Sequence, residues 1–262
     1  MRAPKHLFAA QDSLRRAVRR ARRVMLLTDF DGTLAPLRRR PGQVRLSRSN
    51  RRLLGTLARR GVTVAIVSGR PLRDLRARVG LRGVWYVGVH GFFLQIPSNR
   101  SLSLLNRRER RRIAQARRRL KSKLAKLKGI RVEAKQATVA VHFRGAPRAS
   151  AARAGRALAE LLQRERNLRL LSGKKVWEIF PRRNVSKWTA VQFILEREGW
   201  NRAGGGGLAF YLGDDVTDED VFRHLNGVTV AVGKRRGTAA RYYLRSPAEA
   251  HQFLEMLKSW LA

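Results

Sequence analysis

Two aspartates, Asp29 and Asp31, stand side by side in the stretch LLTDFDGTLAPL (26–37), directly after a run of apolar residues. The apolar run predicts a buried strand, and in open parallel sheets ligands bind beyond the carboxyl ends of the strands. Acidic residues are scarce in this chain, which has 58 Lys and Arg residues against 18 Asp and Glu residues. Two of the few therefore lie together at a position where an α/β protein binds its ligand.

A second acidic stretch, GDDVTDED (213–220), also follows a predicted strand, and six of the eight aspartates lie in these two stretches. Bunched carboxylates repel one another and are costly to bury. A divalent cation relieves that repulsion, and an all-oxygen site favours Mg²⁺, commonly beside a substrate phosphate. For Glu219 and Asp220 a preference for a helix N-terminus is explanation enough. That preference does not explain the pair at 29–31 or Asp214.

Strands and helices alternate through both ends of the chain, and this alternation predicts a parallel sheet wound by helices. Continuous β-branched or apolar runs are typical of strands that are covered on both faces. A helix is predicted to open in DDVTDEDVF (214–222), with Thr217 and Asp220 at capping-box spacing. The predicted strands are 24–29, 62–67, 84–89, 208–213 and 228–233, and the helices flanking them include 11–23, 186–199 and about 247–261.

The order of predicted secondary-structure elements changes between residues 98 and 182, where a helix followed by a hairpin occurs twice. The helices are predicted at about 104–127 and 148–165, and the hairpins at 130–144 and 168–180. Alternating strands and helices cannot produce this order. We therefore predict a core formed by residues 1–97 and 183–262, interrupted by an inserted α+β domain at 98–182.

Composition excludes several classes of protein. No apolar stretch approaches the roughly 20 residues of a membrane span, and the first 23 residues lack the apolar segment of a signal peptide. The absence of cysteine excludes disulfides and thiolate metal sites. These features fit a cytoplasmic enzyme.

The formal charge of +40 is extreme, and two explanations stay open. The basic runs at 15–23 and 106–128 could bind nucleic acid or another polyanion. Alternatively, arginine simply fills solvated helix faces, because it is a good helix former. Apolar residues recur at helical intervals through 113, 116, 120, 124 and 127, and no nucleic-acid motif accompanies the charge. We favour the second explanation.

Several motifs together resemble the haloacid-dehalogenase-like (HAD) phosphatases: DFDGTLAP (29–36), SGR (68–70), an isolated Lys187 and GDDVTDED. The segments VEAKQATVAVHFR, KKVWEIFP and LGDDVTDEDVF are similar, in this order, to the trehalose-6-phosphate phosphatase family within that superfamily. The resemblance runs from about residue 24 to the C-terminus. It implies a HAD-like Rossmannoid core with a parallel sheet and an inserted α+β cap domain. It also implies a Mg²⁺-dependent enzyme that releases phosphate from trehalose 6-phosphate in the last step of trehalose biosynthesis. We predict, separately, that the chain is a monomer.

The resemblance assigns chemical roles to the first acidic stretch. Asp29 is expected to attack phosphorus and form an aspartyl phosphate, and Asp31 is expected to protonate the departing sugar oxygen and then activate water. Gly32 is expected to let the backbone approach closely and leave amides free for phosphate. Thr33 contributes a hydroxyl group to the substrate or caps the turn, with neither preferred.

The remaining core residues are expected to bind phosphate and metal. Ser68 hydrogen-bonds the phosphoryl group, Lys187 neutralises its charge and keeps Asp29 ionised, and Arg70 clamps phosphate. The implied Mg²⁺ ligands complete the set: Asp29, the backbone carbonyl of Asp31, Asp214, and either Asp215 or Asp218 through water, of which we favour Asp218.

The cap is expected to bind the sugar through charged side chains, for which the matching positions are Glu133, Lys135, Arg144, Lys174 and Glu178. The alternation in VEAKQ puts Glu133 and Lys135 on one face of a strand. The competing explanation is that these residues form surface ion pairs with nearby arginines.

Other positions are less specific. His90 is ambiguous, His142 is predicted to be packed within a strand, and the tryptophans at 85, 177 and 188 are predicted to pack. The family commonly has Asp-Lys-Gly where this chain has Ser186-Lys187-Trp188. Ser186 can still cap the helix, whereas Trp188 is expected to crowd the phosphate site or tighten the contact of core and cap.

Three alternative functions remain from the sequence. The chain could be a HAD phosphatase for another sugar phosphate. It could be a basic protein that uses a phosphatase-like scaffold to bind a polyanion. It could also be active only alongside a trehalose-phosphate synthase. The full set of Asp29, Asp31, Ser68, Lys187 and Asp214 argues for catalysis, because a pure binding protein has no chemical need for it.

Overall fold

The chain divides into two compact units. Unit 1 comprises Met1–Leu104 with Val185–Ala262, and unit 2 comprises Leu105–Asn184. The computed structural model describes residues 3–38, 41–134, 138–173, 175–182, 185–200, 206–233 and 237–261.

Thirteen strands and eight α-helices are numbered in chain order within these residues. The strands are β1 (Lys5–His6), β2 (Arg23–Asp29), β3 (Thr63–Val67), β4 (Trp85–Gly88), β5 (Phe93–Gln95), β6 (Ser101–Ser103), β7 (Arg131–Ala134), β8 (Val139–His142), β9 (Leu168–Gly173), β10 (Val176–Pro181), β11 (Gly207–Gly213), β12 (Val228–Val232) and β13 (Tyr242–Leu244). The helices are α1 (Gln11–Arg20), α2 (Arg48–Arg59), α3 (Leu72–Val79), α4 (Arg107–Leu124), α5 (Arg148–Arg164), α6 (Lys187–Arg197), α7 (Glu219–His224) and α8 (Pro247–Trp260).

Unit 1 is built on a nine-stranded sheet in the order β1-β13-β12-β11-β2-β3-β4-β5-β6. All neighbouring strands from β1 to β4 in this order are parallel, and only the pairs β4–β5 and β5–β6 are antiparallel. The predicted parallel sheet is confirmed. At its centre, Leu212 of β11 lies opposite Thr28 of β2, and Asp29 of β2 lies opposite Val67 of β3. These three strands therefore end at the same edge of the sheet.

Two hydrophobic clusters cover the two faces of this sheet. Along β2, Val24 and Leu26 belong to the cluster that includes α1, α2, α3 and α8, whereas Met25 and Leu27 belong to the cluster that includes α6 and α7. Successive strand residues point to opposite faces, so a strand between two helical layers must be apolar at every position. This explains the uninterrupted run VMLL.

Unit 2 repeats one motif. Helix α4 precedes the hairpin of β7 and β8, α5 precedes the hairpin of β9 and β10, and the four strands form an antiparallel sheet in the order β7-β8-β10-β9. Ile113, Ala116, Leu120 and Leu124 of α4 are buried against α5 and the sheet. The predicted helical spacing of apolar residues in α4 is thus confirmed.

One local prediction is wrong. The segment after β11 first forms a 3-10 turn, Val216–Asp218, and α7 begins only at Glu219. Asp215 and Asp218 form the capping box of this turn, so the predicted pair of Thr217 and Asp220 does not. Both pairs have the three-residue spacing of a capping box. The 3-10 turn that precedes α7 is what makes Asp215 and Asp218 the pair that forms it.

Among the described helices, none is both long enough and apolar enough to cross a membrane.

Candidate active site

A buried ion pair lies where β2 ends. Lys187 Nζ lies 2.8 Å from Asp29 Oδ1 and 2.7 Å from Asp218 Oδ1. The three side chains are 7% exposed or less. Residues from β2, α6 and the turn before α7 therefore meet at one point, although 158 positions separate Asp29 from Lys187.

The start of α6 positions Lys187. Ser186 precedes the helix with extended backbone, and its hydroxyl accepts a hydrogen bond from the Thr189 amide, while Thr189 completes the capping box. The hydroxyl of Ser186 also donates to Asp220. The expected capping by Ser186 is confirmed, and it fixes the lysine as the first residue of the helix.

Asp218 is held on both carboxylate oxygens. Its Oδ1 accepts from Lys187 and from the Tyr211 hydroxyl at 2.6 Å. Its Oδ2 accepts from the backbone amides of Asp214 at 3.1 Å and Asp215 at 2.9 Å. Tyr211 was not predicted from the sequence; the available signal was a polar hydroxyl at the end of an otherwise apolar strand that precedes the Gly-Asp-Asp sequence.

The electrostatics of this cluster are strongly coupled. Burial raises the pKa of Asp29 well above its ordinary value, and Asp218 and Asp214 add to this against the opposing charge of Lys187. The pKa of Lys187 is also raised, because the charges of Asp29 and Asp218 outweigh its desolvation. Burial, followed by the nearby carboxylates, raises the pKa of Tyr211 well above its ordinary value. The site thus holds more negative charge than Lys187 compensates.

The loop after β2 brings Asp214 close. Gly32 has a φ of +83°, and a Cβ atom there would lie only 2.0 Å from Asp214 Oδ2. The buried Thr33 hydroxyl donates to Asp214 Oδ1 at 3.1 Å. The absence of a Cβ atom at Gly32 thus leaves room for the Asp214 carboxylate, a contact that the sequence did not predict. The Gly32 amide itself donates to the Ala35 carbonyl at 2.8 Å, and the expected phosphate-binding role of the loop stays a prediction.

Three carboxylates could hold a metal ion. Asp29, Asp214 and Asp218 each offer an oxygen atom, and these atoms lie within 4.8 Å of one another. An all-oxygen donor set and uncompensated buried charge both fit a hard divalent cation. Asp215 is exposed and accepts from the Val216 amide as a cap, so Asp218 is the member of the pair that joins the cluster.

Asp31 and Arg70 bind each other. Arg70 Nε and Nη2 lie 2.6 Å and 2.5 Å from the two carboxylate oxygens of Asp31, and Nη1 lies 2.8 Å from Asp74 Oδ2. Ser68 is buried after β3, and its hydroxyl accepts from the Arg70 amide at 3.2 Å. The phosphate-binding roles of Ser68 and Arg70 stay predictions. Asp74 was missed, although its four-residue spacing from Arg70 and Arg78 was visible.

In unit 2, Glu133 and Glu178 share one face of the sheet. Both lie opposite Ala140, from the strands on either side of it, and side chains directly opposite each other point to the same face. Glu178 accepts from the Thr138 hydroxyl at 2.6 Å. Arg144 is exposed in the turn after β8. Lys135 and Lys174 lie outside the described residues.

The packing of His142 was predicted wrongly in part. It lies in β8, but it is 29% exposed, and its Nε2 lies 2.7 Å from Glu133 Oε2. Strand alternation explains this, because Val141 takes the buried face. The predicted packing of the tryptophans is confirmed: Trp85 is buried, Trp177 stacks on Phe143, and Trp188 packs on the second cluster of unit 1.

Comparisons with known proteins agree with this geometry. The profile described as Trehalose-phosphatase matches residues 27–248. A trehalose-phosphate phosphatase of Mycolicibacterium paratuberculosis is 36% identical over 254 residues, covering 89% of this chain and 61% of the relative. A probable trehalose-phosphate phosphatase D of Arabidopsis thaliana is 31% identical and covers 92% of this chain and 69% of the relative. The chain thus spans about three fifths of the length of the mycobacterial relatives.

Solved structures share the fold. The C-terminal domain of a trehalose-6-phosphate phosphatase from C. albicans superposes with a TM-score of 0.73 at 22% identity, covering 98% of both chains. A trehalose-6-phosphate phosphatase of Aspergillus fumigatus gives a TM-score of 0.68 at 24% identity, covering 98% of this chain and 99% of that one. The profile match spans more than half of the chain and includes both acidic stretches and Lys187. The chain belongs to the trehalose-phosphatase family.

Proposed function

We propose that this chain is a Mg²⁺-dependent phosphatase that hydrolyses trehalose 6-phosphate to trehalose and phosphate in the cytoplasm. The observation that carries the proposal is the buried contact of Lys187 with Asp29 and Asp218, beside Asp214, at the carboxyl edge of the central strands. The names of the relatives, trehalose-phosphate phosphatases, support the choice of substrate.

In the first half-reaction, Asp29 attacks phosphorus through a carboxylate oxygen, and the bond from phosphorus to the sugar oxygen breaks. Asp31 gives its proton to that oxygen, so trehalose leaves as the neutral alcohol. Ser68 donates a hydrogen bond to the phosphoryl group, and Lys187 offsets its developing charge. Gly32, Thr33 and Arg70 are proposed to shape the phosphate site.

In the second half-reaction, Asp31 takes a proton from water, which attacks the phosphorus atom of the aspartyl phosphate. The bond from phosphorus to Asp29 breaks, and phosphate leaves with Asp29 restored as a carboxylate. Asp31 is protonated again and ready for the next substrate, so protons balance over the cycle.

Asp29, Asp214 and the backbone carbonyl of Asp31 would hold Mg²⁺, with Asp218 supporting the site. When bound, Mg²⁺ supplies charge neutralisation for the phosphate and for the crowded carboxylates.

Unit 2, which contains most of the insertion predicted at 98–182, is proposed to act as the cap domain and to supply specificity for the sugar. Glu133 and Glu178 emerge from one face of the sheet about 10 Å apart, which is two strand spacings. This separation suits carboxylates that accept hydrogen bonds from different hydroxyl groups of a disaccharide. Lys135, Arg144 and Lys174 are proposed to take part in binding the sugar as well.

Phosphate release tests the proposal. Purified protein is assayed with Mg²⁺ on trehalose 6-phosphate, sucrose 6-phosphate and glucose 6-phosphate, with EDTA and with Asp29→Asn. We expect a strong preference for trehalose 6-phosphate that both EDTA and Asp29→Asn abolish. Turnover of another ester, abolished in the same way, would keep the mechanism and reject the substrate. No turnover by folded protein would reject both.

A second candidate activity, polyanion binding, is favoured by one observation. Helix α4 contains ten Lys and Arg residues and one acid, Glu109, which is buried in the capping box. Arg107, Arg111 and Arg118 are exposed on the side opposite the buried Ile113. A fluorescent DNA duplex tests it: binding should weaken steeply with salt, and neutralising the three arginines to Gln should reduce the slope.

A further inference from the structure

Arg70 is fixed at its guanidinium group by two carboxylates. The two carboxylate oxygens of Asp31 accept hydrogen bonds from Arg70 Nε and Nη2, which makes a two-pronged contact. The carboxylate of Asp74 accepts a hydrogen bond from Arg70 Nη1. The Arg70 side chain is only 12% exposed. A two-pronged contact of guanidinium with carboxylate fixes orientation as well as distance. The orientation of the Asp31 carboxylate therefore depends on where Arg70 is held.

Asp74 lies between two arginines. It stands in the first turn of α3, and its Oδ2 accepts from Arg70 Nη1 and from Arg78 Nε, each at 2.8 Å. Arg78 in turn donates to the backbone carbonyls of Gly42 at 2.8 Å and Val44 at 2.7 Å. A continuous chain of hydrogen bonds thus runs from the backbone at 42–44 to Asp31.

The backbone of Arg70 is fixed as well. The amide of Val89 donates to the Arg70 carbonyl at 2.9 Å, and the amide of His90 donates to the Ser68 carbonyl at 3.1 Å. Val89 and His90 have φ values of +52° and +54°, which are costly for residues with a Cβ atom and tend to be retained at functional sites. The His90 ring packs closely on Gly69: a Cβ atom added to Gly69 would lie only 2.5 Å from ring atoms of His90.

We propose that Asp74 is a positioning residue. Together with Arg78 it holds Arg70, and through Arg70 it fixes the Asp31 side chain, which must release one of its two oxygens from Arg70 to carry the proton that it gives to the sugar oxygen. This inference rests on the proposed function, in which Asp31 moves the proton. The hydrogen bonds that the structure describes for Asp74 join it to Arg70 and Arg78 and not to the acidic cluster, so it acts through Arg70.

The charge state of Asp74 agrees with this role. Desolvation acts to raise its pKa, but hydrogen bonds from Arg78 and Arg70 outweigh it and lower the pKa. The group is therefore an anion at neutral pH, as two arginine partners require. Asparagine keeps the size of the side chain but loses the charge and one acceptor, which makes Asp74→Asn a conservative test.

The experiment compares two esters in a double-mutant cycle. The value of kcat/KM is measured for wild type, Asp74→Asn, Arg70→Ala and the double variant, on trehalose 6-phosphate and on p-nitrophenyl phosphate. For Asp74→Asn we expect a loss of about 10- to 100-fold on the sugar ester, as misplaced catalytic groups cause. On p-nitrophenyl phosphate, whose leaving group needs no proton, we expect a loss below about threefold. The double variant should be no worse than Arg70→Ala.

A matched control separates positioning from loss of stability. Glu249→Gln also replaces a carboxylate that has two partners in unit 1, the His6 ring at 2.9 Å and the Arg245 amide at 2.7 Å. It should lower the thermal midpoint while leaving kcat/KM on both esters unchanged. Equal losses on the two esters for Asp74→Asn, or additive losses in the double variant, would overturn the inference.

A crystal structure of Asp74→Asn gives an answer that does not depend on activity. We expect Arg70 to turn away from the two-pronged contact with Asp31; an unchanged contact would overturn the inference. A wild-type protein that turns over neither ester would instead count against the proposed function. An active wild type with an unaffected Asp74→Asn variant would reject the positioning role alone.

Discussion

Tyr211 donates a hydrogen bond of 2.6 Å to Asp218 Oδ1, the same oxygen atom that lies 2.7 Å from Lys187 Nζ. Tyr211 and Asp218 have no measurable exposure to solvent. Since two donors share one acceptor in a buried site, the hydroxyl group helps to fix the carboxylate that Lys187 contacts. The end of β11 thus supports Lys187 indirectly.

Tyr211→Phe should therefore lower both stability and activity. Removing the hydroxyl leaves a buried acceptor with one donor fewer, which costs about 1–3 kcal/mol in the free energy of unfolding. Tyr86→Phe is the matched control, because Tyr86 is equally buried and bonds only the Leu81 backbone in the contacts described. Urea denaturation and kcat should show a stability loss for both variants but a loss of activity for Tyr211→Phe alone. Equal activity of the two variants would contradict this.

Lys187→Met should be severely destabilising. It leaves Asp29 and Asp218 buried without their cation, and breaking a buried pair on one side costs about 3–5 kcal/mol. Lys123→Met removes a lysine from an exposed pair with Glu160, where little change is expected. Chemical denaturation of both variants measures the difference. If the two variants were equally stable, the buried pair would not have the importance that its geometry indicates.

Gly32→Ala should disturb the position of Asp214. Gly32 and Gly61 share a φ of +83°, but a Cβ atom at Gly61 meets nothing within 4 Å, whereas at Gly32 it meets Asp214 Oδ2 at 2.0 Å. Both substitutions cost about 1–2 kcal/mol from the left-handed backbone. Only Gly32→Ala should also weaken the response of the thermal midpoint to Mg²⁺. Identical behaviour of the two alanine variants would show that Asp214 moves aside without consequence.

Mg²⁺ should raise the thermal midpoint of the wild-type protein. A ligand that binds only the folded state stabilises it by about 2.7 kcal/mol at 100 times its dissociation constant. Asp214→Asn removes a charge from the carboxylate cluster and should abolish most of this rise. Asp12→Asn, the same substitution at an exposed position in α1, should keep it. Thermal unfolding with and without Mg²⁺ makes the comparison, and a wild-type midpoint indifferent to Mg²⁺ would count against the metal site.

The contribution of Asp74 to stability should depend on pH. Its pKa is lowered in the folded protein from an ordinary value of 3.8, chiefly by Arg78 and Arg70 against desolvation. A lowered pKa means that the stabilisation is fully present above 3.8 and is lost as pH falls through the folded value. The difference in unfolding free energy between wild type and Asp74→Asn should therefore shrink in acid. A difference that stayed constant down to pH 2 would contradict the ion pair.

Local features of this protein follow from its sequence because they depend on neighbouring residues. The alternation that splits Val24 and Leu26 from Met25 and Leu27, the helical spacing in α4 and the cap at Ser186 are all set within a few positions. Each of the two acidic stretches could likewise be placed at the end of an apolar strand from its neighbouring residues alone. A strand must end before a polar residue can reach the edge of the sheet.

Contacts between distant segments were decided only by the tertiary structure. The fold brings Asp218, from the turn before α7, and Lys187, from the start of α6, to Asp29, and it adds Tyr211 from β11. The same turn puts Asp218 rather than Asp215 in the cluster. The sequence alone did not show which carboxylates the Arg70 side chain would contact. The turn after β4 and helix α3 position this side chain so that it contacts Asp31 and Asp74. A side chain's partner depends on where remote backbone places both groups, and no local pattern contains that information.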